Sequence, residues 1–238
     1  MKILAIGAHP DDVEVACGAT LALFKKKGHQ VYILTLTKGE ASGDPKIREK
    51  ECVEAGNIIG VDELFFGNLR DTQIHDGIET ITEIEKILKI VKPDLIFCHS
   101  ARDSHQDHRN VSYACISAAR MISSILLYES PAATKEFSPQ IFVNVLKTFH
   151  TKLEAIRAFP SQTTKSFFPV HTDNPHAFIR RIVPAVEGLA RFRGFQVGVD
   201  FAEAFEVSKF ILEIPHSTHA RALYSLRCEA AHRKEHTN

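Results

Sequence analysis

The chain has 238 residues, 44% hydrophobic and 24% charged, an ordinary mixture for a folded globular protein. Its 29 basic residues equal its 29 acidic ones, so no net field draws it to a nucleic acid or an anionic membrane surface. No stretch approaches the roughly 20 apolar residues that span a bilayer, and the apolar run Ile3–Ala8 is too short for an export signal. Five scattered cysteines without a C-x-x-C pair read as reduced core thiols, and the expected location is the cytoplasm. The 13 histidines are the unusual count.

Taken in order, the chain alternates strand and helix. Lys2 to Gly7 is a continuous apolar run of the kind buried on both faces of a sheet. From Val13 to Phe24 the apolar residues fall at helical spacing, with Gly28 as a stop. Val31 to Thr37 is a β-branched strand, and a helix opens at Asp44 or Pro45 and ends before Gly60. Glu63–Phe66 predicts a short strand, Asp76–Val91 a helix stopped before Pro93, and Leu95–Cys98 a fourth strand. Asn110–Ile122 predicts a helix and Ile125–Tyr128 a fifth strand.

Beyond Pro131 the pattern loosens. It allows a strand at Phe142–Leu146, a helix at Lys152–Phe159, a helix from Pro175 to Arg191 kinked at Pro184, and a closing strand at Ala204–Val207. The tail from His216 is polar.

Strands separated by helices of this length imply a Rossmann-like α/β fold, a mostly parallel sheet with helices on both faces. We expect one domain over 1–238: a core over 1–130, a smaller β/α extension over 131–215, and the tail. In such sheets ligands bind beyond the carboxyl ends of the strands where the strand order reverses. For the order 3-2-1-4-5 that point lies between the first and fourth strands. The loop after the first carries Ala8-His9-Pro10-Asp11-Asp12-Val13-Glu14, and the segment after the fourth carries His99 to His108 with His105-Gln106-Asp107-His108.

The first loop lacks G-x-G-x-x-G, and its carboxylates would repel a pyrophosphate, which disfavours a dinucleotide site. A metal suits it better. His9 and Asp12, three residues apart at a helix opening, can point the same way, and His108 would complete a set of two histidines and a carboxylate. That set with one open position suits a catalytic zinc and also Fe(II). Asp11, beside a ligand but aimed elsewhere, is then the general base. Plainer alternatives stand beside each residue. Asp11 and Asp12 would serve as helix caps, His99 as a structural histidine, and Arg102 with Asp103 as a solvated loop pair.

The same residues resemble the PIG-L/LmbE-like zinc N-deacetylases, through the A-H-P-D-D-x-E and H-x-D-H motifs. Softer similarity continues at Arg48–Glu51 with Ala55 and Gly60-Val61, at Asn68–Asp71, at Ser161-Gln162, and at Gly198 with Ala202-Glu203, so it covers about residues 1–210. The resemblance implies that His9, Asp12 and His108 hold zinc and that Asp11 is the base. It further implies that His105 stabilises the oxyanion or protonates the leaving amine while Asp107 orients a histidine. The implied activity is removal of acetyl groups from N-acetylglucosamine-type sugars or conjugates.

Arg48 is a candidate substrate contact, with an ion pair to Glu51 or Asp44 as the structural alternative, and Asp71 is a candidate for a sugar hydroxyl. Two other functions fit the pattern: a metal-dependent hydrolase of another acylated amine, and a catalytically silent sugar-binding protein. A homo-oligomer is open, with Phe167-Phe168 as an apolar stretch that would support one.

Overall fold

The computed structural model describes residues 1–163 and 179–211. The expected tail from 216, the Phe167-Phe168 stretch and the first residues of the helix expected from Pro175 lie outside them. Five parallel strands form the centre: β1 (Lys2–Gly7), β2 (Gln30–Thr35), β3 (Glu63–Phe66), β4 (Leu95–His99) and β5 (Ile125–Tyr128). Two later strands extend the sheet, β6 (Ile141–Asn144) and β7 (Ala202–Lys209), giving the order β3-β2-β1-β4-β5-β7-β6. β7 runs antiparallel to both its neighbours. The expected order 3-2-1-4-5 is therefore present, and it reverses between β1 and β4.

Burial on both faces explains the unbroken apolar strands. Ile3 and Ala5 of β1 join Val31, Ile33, Leu95 and Phe97 in one core, covered by α1 (Asp12–Lys26), α2 (Pro45–Ile59) and α5 (Phe149–Arg157). Leu4 and Ile6 face the other way and join Leu34, Ile96 and Cys98 under α3 (Ile78–Val91) and α4 (Gln106–Ala118). The short α6 (Pro160–Thr163) and the long α7 (Ile179–Val197), which runs through Pro184, are the remaining helices among the described residues. Among the described residues no helix is long and apolar enough to cross a membrane.

Helix boundaries follow their caps. The Asp44 carboxylate accepts from Lys46 N at 2.8 Å to open α2, and Gly60, at φ 84°, closes it in the left-handed conformation that glycine adopts freely. One expectation needs correction. The helix expected from Asn110 begins four residues earlier, because the His105 side chain serves as its N-cap and accepts from Asp107 N. The second histidine motif therefore opens a helix and is fixed by its first turn.

Candidate metal and active site

The two motifs meet at the carboxyl ends of β1 and β4. Asp12, on the first turn of α1, lies at the centre. Its Oδ2 accepts from His9 N at 2.7 Å and sits 3.3 Å from His9 Nδ1, while its Oδ1 sits 3.2 Å from His108 Nε2. One ligand atom from each of His9, Asp12 and His108 lies within 4.8 Å of the others. The two imidazoles, 99 residues apart in sequence, have ring centroids 5.6 Å apart.

Each imidazole is held on its other side by a carboxylate. His108 Nδ1 meets Asp103 Oδ2 at 2.9 Å, and His9 Nε2 meets Asp71 Oδ1 at 2.9 Å and Asp107 Oδ2 at 3.2 Å. Such outer partners fix ring orientation and raise ligand basicity in metal sites. Convergent nitrogen and oxygen donors, oriented imidazoles and a cavity opening on Asp12 and His108 fit a divalent ion with an accessible position. His9, His105 and Asp107, and His99, Asp103 and His108, form two overlapping donor groups at the same place.

The electrostatics follow from crowding charges in a dry place. Burial works against a charged His108, but Asp12 and Asp103 outweigh it and raise the pKa to about 9. His9 is likewise raised, the carboxylates of Asp12, Asp107 and Asp71 overcoming burial. Burial would raise Asp12, yet the imidazoles of His108, His99 and His9 hold it well below the usual carboxylate range. His99, stacked on His108 at 4.0 Å between centroids, is pushed down to about 4 by burial and that neighbour. His105 is lowered by burial and by His108 and His9.

Asp11 is different. It precedes α1 with φ 100°, a left-handed conformation that costs a non-glycine residue energy, and its carboxylate caps nothing. The capping alternative is thereby excluded for Asp11. Its side chain is 28% exposed and borders the cavity beside Asp12 and His108. Low solvation raises its pKa to about 7, against the opposing charge of Arg48.

Arg48 is buried and faces inward. It donates to Pro10 O at 2.6 Å and Gly39 O at 3.1 Å, contacts Ser42 Oγ, and lies 3.5 Å from Asp11 Oδ1. Glu51 instead accepts from Ser161, and Asp44 caps α2, so neither is the partner of Arg48. Gly39, at φ 65°, has no room for a Cβ, which would collide with the Arg48 guanidinium. Asp71 is also occupied internally, by His9 and by Ala41 N at 3.1 Å.

Asp103 does not form the solvated pair expected with Arg102. It is 4% exposed, grips His108, accepts from His105 N at 2.7 Å and takes a short hydrogen bond from Ser130. Only the fold brings Ser130 there from 27 residues away. Glu14, the last residue of the first motif, is 1% exposed, and burial raises its carboxyl to about 8.

A family model described as PIG-L, GlcNAc-PI de-N-acetylase, matches residues 4–119, a span that contains both histidine motifs. YaiS of Escherichia coli, described as an uncharacterised deacetylase, is 36% identical over 167 residues, covering 67% of this chain and 90% of its own. Among solved structures, the conserved protein TT1542 of Thermus thermophilus superposes with a TM-score of 0.76 at 27% identity, covering 90% of this chain and 98% of that one. The N,N'-diacetylchitobiose deacetylase of Pyrococcus horikoshii superposes with a TM-score of 0.74 at 25% identity, covering 87% and 83%. Agreement in motif, in fold and along nine-tenths of the E. coli relative leads to one conclusion: the chain belongs to the PIG-L family of de-N-acetylases.

Proposed function

We propose that this protein removes the acetyl group from an N-acetylglucosamine-type sugar or conjugate, using a divalent ion, zinc in the first place, held by His9, Asp12 and His108. The observation that carries this reading is Asp11. A carboxylate released from capping and held in a strained backbone borders the same cavity as two of the three donors. A cap or a passive sugar contact needs none of these features. The diacetylchitobiose deacetylase among the structural relatives supports the choice of substrate.

The bound ion would supply a water that loses its proton near neutrality and an electrophile for the amide oxygen. Asp11, on the cavity wall beside Asp12 and His108, would accept a proton from the attacking water and later return it. Arg48 holds the Asp11 carboxylate in place through contacts to Asp11 itself and to Pro10 O. His105 Nδ1 accepts from Asp107 N, so the neutral ring carries its hydrogen on Nε2. From there it donates to the oxyanion, a kind of contact whose loss costs about 10²–10³ in kcat elsewhere. Asp107 steadies His9, and Asp11 returns its proton to the departing amine.

Acetate release from N-acetylated amino sugars, with metal analysis of each variant, tests the assignment. Chelation abolishes activity and zinc restores it. Asp11→Ala keeps its metal and loses about 10²–10⁴ in turnover, whereas His108→Ala loses the metal. Wild-type turnover in Asp11→Ala would overturn the base, and full metal content in His108→Ala would overturn the ligand set.

A further inference from the structure

A cavity of about 230 Å³ opens from the site, with Asp11, Asp12 and His108 at its reactive end. Its remaining wall is Val15, Pro131, Ala132, Ile156, Phe159 and Ile182, with two polar side chains among them. Both of those are engaged elsewhere. Ser130 Oγ donates to Asp103 and accepts from Ala132 N at 3.0 Å. Gln162 accepts from Ser42 Oγ at 3.4 Å and donates to Ser161 Oγ at 3.0 Å. No lysine or arginine among the described residues lines the cavity, and Arg48 is turned toward the backbone of Pro10 and Gly39.

This wall selects by chemistry. A hydroxylated ring placed against it would leave its hydroxyls unpaired. An anionic group beyond the reacting amide would meet the Asp11 carboxylate and, among the described residues of the wall, no lysine or arginine. A hydrocarbon group gains from leaving water. The volume is about one and a half times that of an apolar cavity of about 150 Å³ that accepts benzene, which leaves room for about six to eight carbons.

We infer that the substrate amide carries an uncharged hydrocarbon group of about six to eight carbons, seated against Val15, Ala132, Ile156, Phe159 and Ile182. This rests on the amide-hydrolase reading of the adjoining site: a hydrocarbon aglycone narrows the acetylated substrate, whereas a longer acyl chain would take the place of acetyl. Two parts of an amide can supply the group: an acyl chain longer than acetyl, or an apolar aglycone on an N-acetylated amino sugar.

Two series of compounds separate these sources. One lengthens the acyl chain of an N-acylglucosamine from acetyl to octanoyl, and the other keeps the acetyl group and lengthens an alkyl glycoside from methyl to octyl. Phosphate- and carboxylate-bearing glycosides form a third set. Calorimetry on metal-loaded Asp11→Asn protein reads binding, with metal-stripped wild type in its place if that variant melts early. Amine release by wild type reads kcat/KM.

Affinity and kcat/KM rise about fourfold per methylene in one of the two series, level off beyond six to eight carbons, and are at least tenfold lower for the anionic set. Ile182→Lys and Ala132→Phe flatten that slope. Flat behaviour in both series, anions bound as well as neutral compounds, or an undiminished slope in both variants would overturn the inference. If the slope is present in binding while wild type releases amine from no compound, the cavity assignment stands and the deacetylase reading fails.

Discussion

His108 is gripped between two carboxylates, Asp12 on Nε2 and Asp103 on Nδ1. The second grip sets which nitrogen faces the donors gathered at Asp12, and it depends on Ser130 holding Asp103 from the β5–β6 connection. Asp103→Ala is expected to weaken metal binding by about 10–100-fold, the usual effect of losing a carboxylate behind a ligating histidine. Competition with a chromophoric chelator measures it, and Asp103→Asn, which still accepts a hydrogen bond, recovers part of the loss. An unchanged affinity in Asp103→Ala would show that His108 needs no such support.

At the scale of elements, α1 is broken where the site needs it to be steady. Cys17 leaves the helical conformation at φ −133°, which frees backbone groups on either side. A buried pair from distant elements takes them up. Glu203 of β7 accepts from Ala19 N at 3.2 Å and Thr20 N at 2.7 Å, and Lys152 of α5 donates to Ala16 O at 3.2 Å and to Glu203 at 2.5 Å. Both side chains are 3% exposed, so removing either partner strands a charge. Lys152→Met or Glu203→Leu is expected to cost about 3–5 kcal/mol in urea unfolding. The double variant should recover part of that, and a cost below about 1 kcal/mol in either single variant would refute the bracing role.

A more exposed ion pair lies toward the β3 edge of the sheet. Asp62, just before β3, accepts from Val31 N at 2.6 Å and from Lys25 Nζ at 2.7 Å. Slight burial works to raise its pKa, but those two hydrogen bonds outweigh it and lower the carboxyl. Its stabilisation is therefore complete above the unfolded carboxylate value of about 4 and disappears as the pH falls through the lowered value. Asp62→Asn should lower stability at pH 7 and leave it nearly unchanged at the acid end, as read by denaturant unfolding across pH. An equal loss at both ends would show that the charge is not the source.

Across the whole molecule, the three donors come from two segments nearly 100 residues apart, each rooted in a central strand. An ion held by both favours the folded state over the unfolded one. At a free concentration a hundredfold above its Kd, binding adds about 2.7 kcal/mol, which for a chain of this size raises Tm by roughly 5–10 °C. Differential scanning calorimetry with and without chelator measures the shift, and His9→Ala should abolish it. A Tm indifferent to metal in the wild type would mean that the donors do not bind an ion together.

Much of this is legible in the amino-acid order. Continuous apolar strands, helices of regular period and their glycine stops are local consequences of burial and backbone freedom, so the five central strands and the helices between them can be read directly. So can the motif residues, because His9, Asp12 and His108 are residue types that few structural roles demand together, at a place where the strand order has to reverse. The start of α4 escapes such a reading because a histidine is an unusual N-cap, and only the conformation of His105 reveals it.

What the chain order could not supply is partnership across distance. Asp103 reads as an ordinary loop acid until Ser130 and His108 close around it, and Arg48 reads as either a substrate contact or an ion pair with Glu51 or Asp44, whereas the fold sets its guanidinium against Pro10 O and Asp11. The same is true of Lys152 and Glu203, whose value lies in completing a helix neither belongs to. Residue type and spacing determined which groups were available for chemistry. Burial decided their charge state and their aim, because desolvation and hydrogen bonding depend on neighbours that only the folded chain assembles.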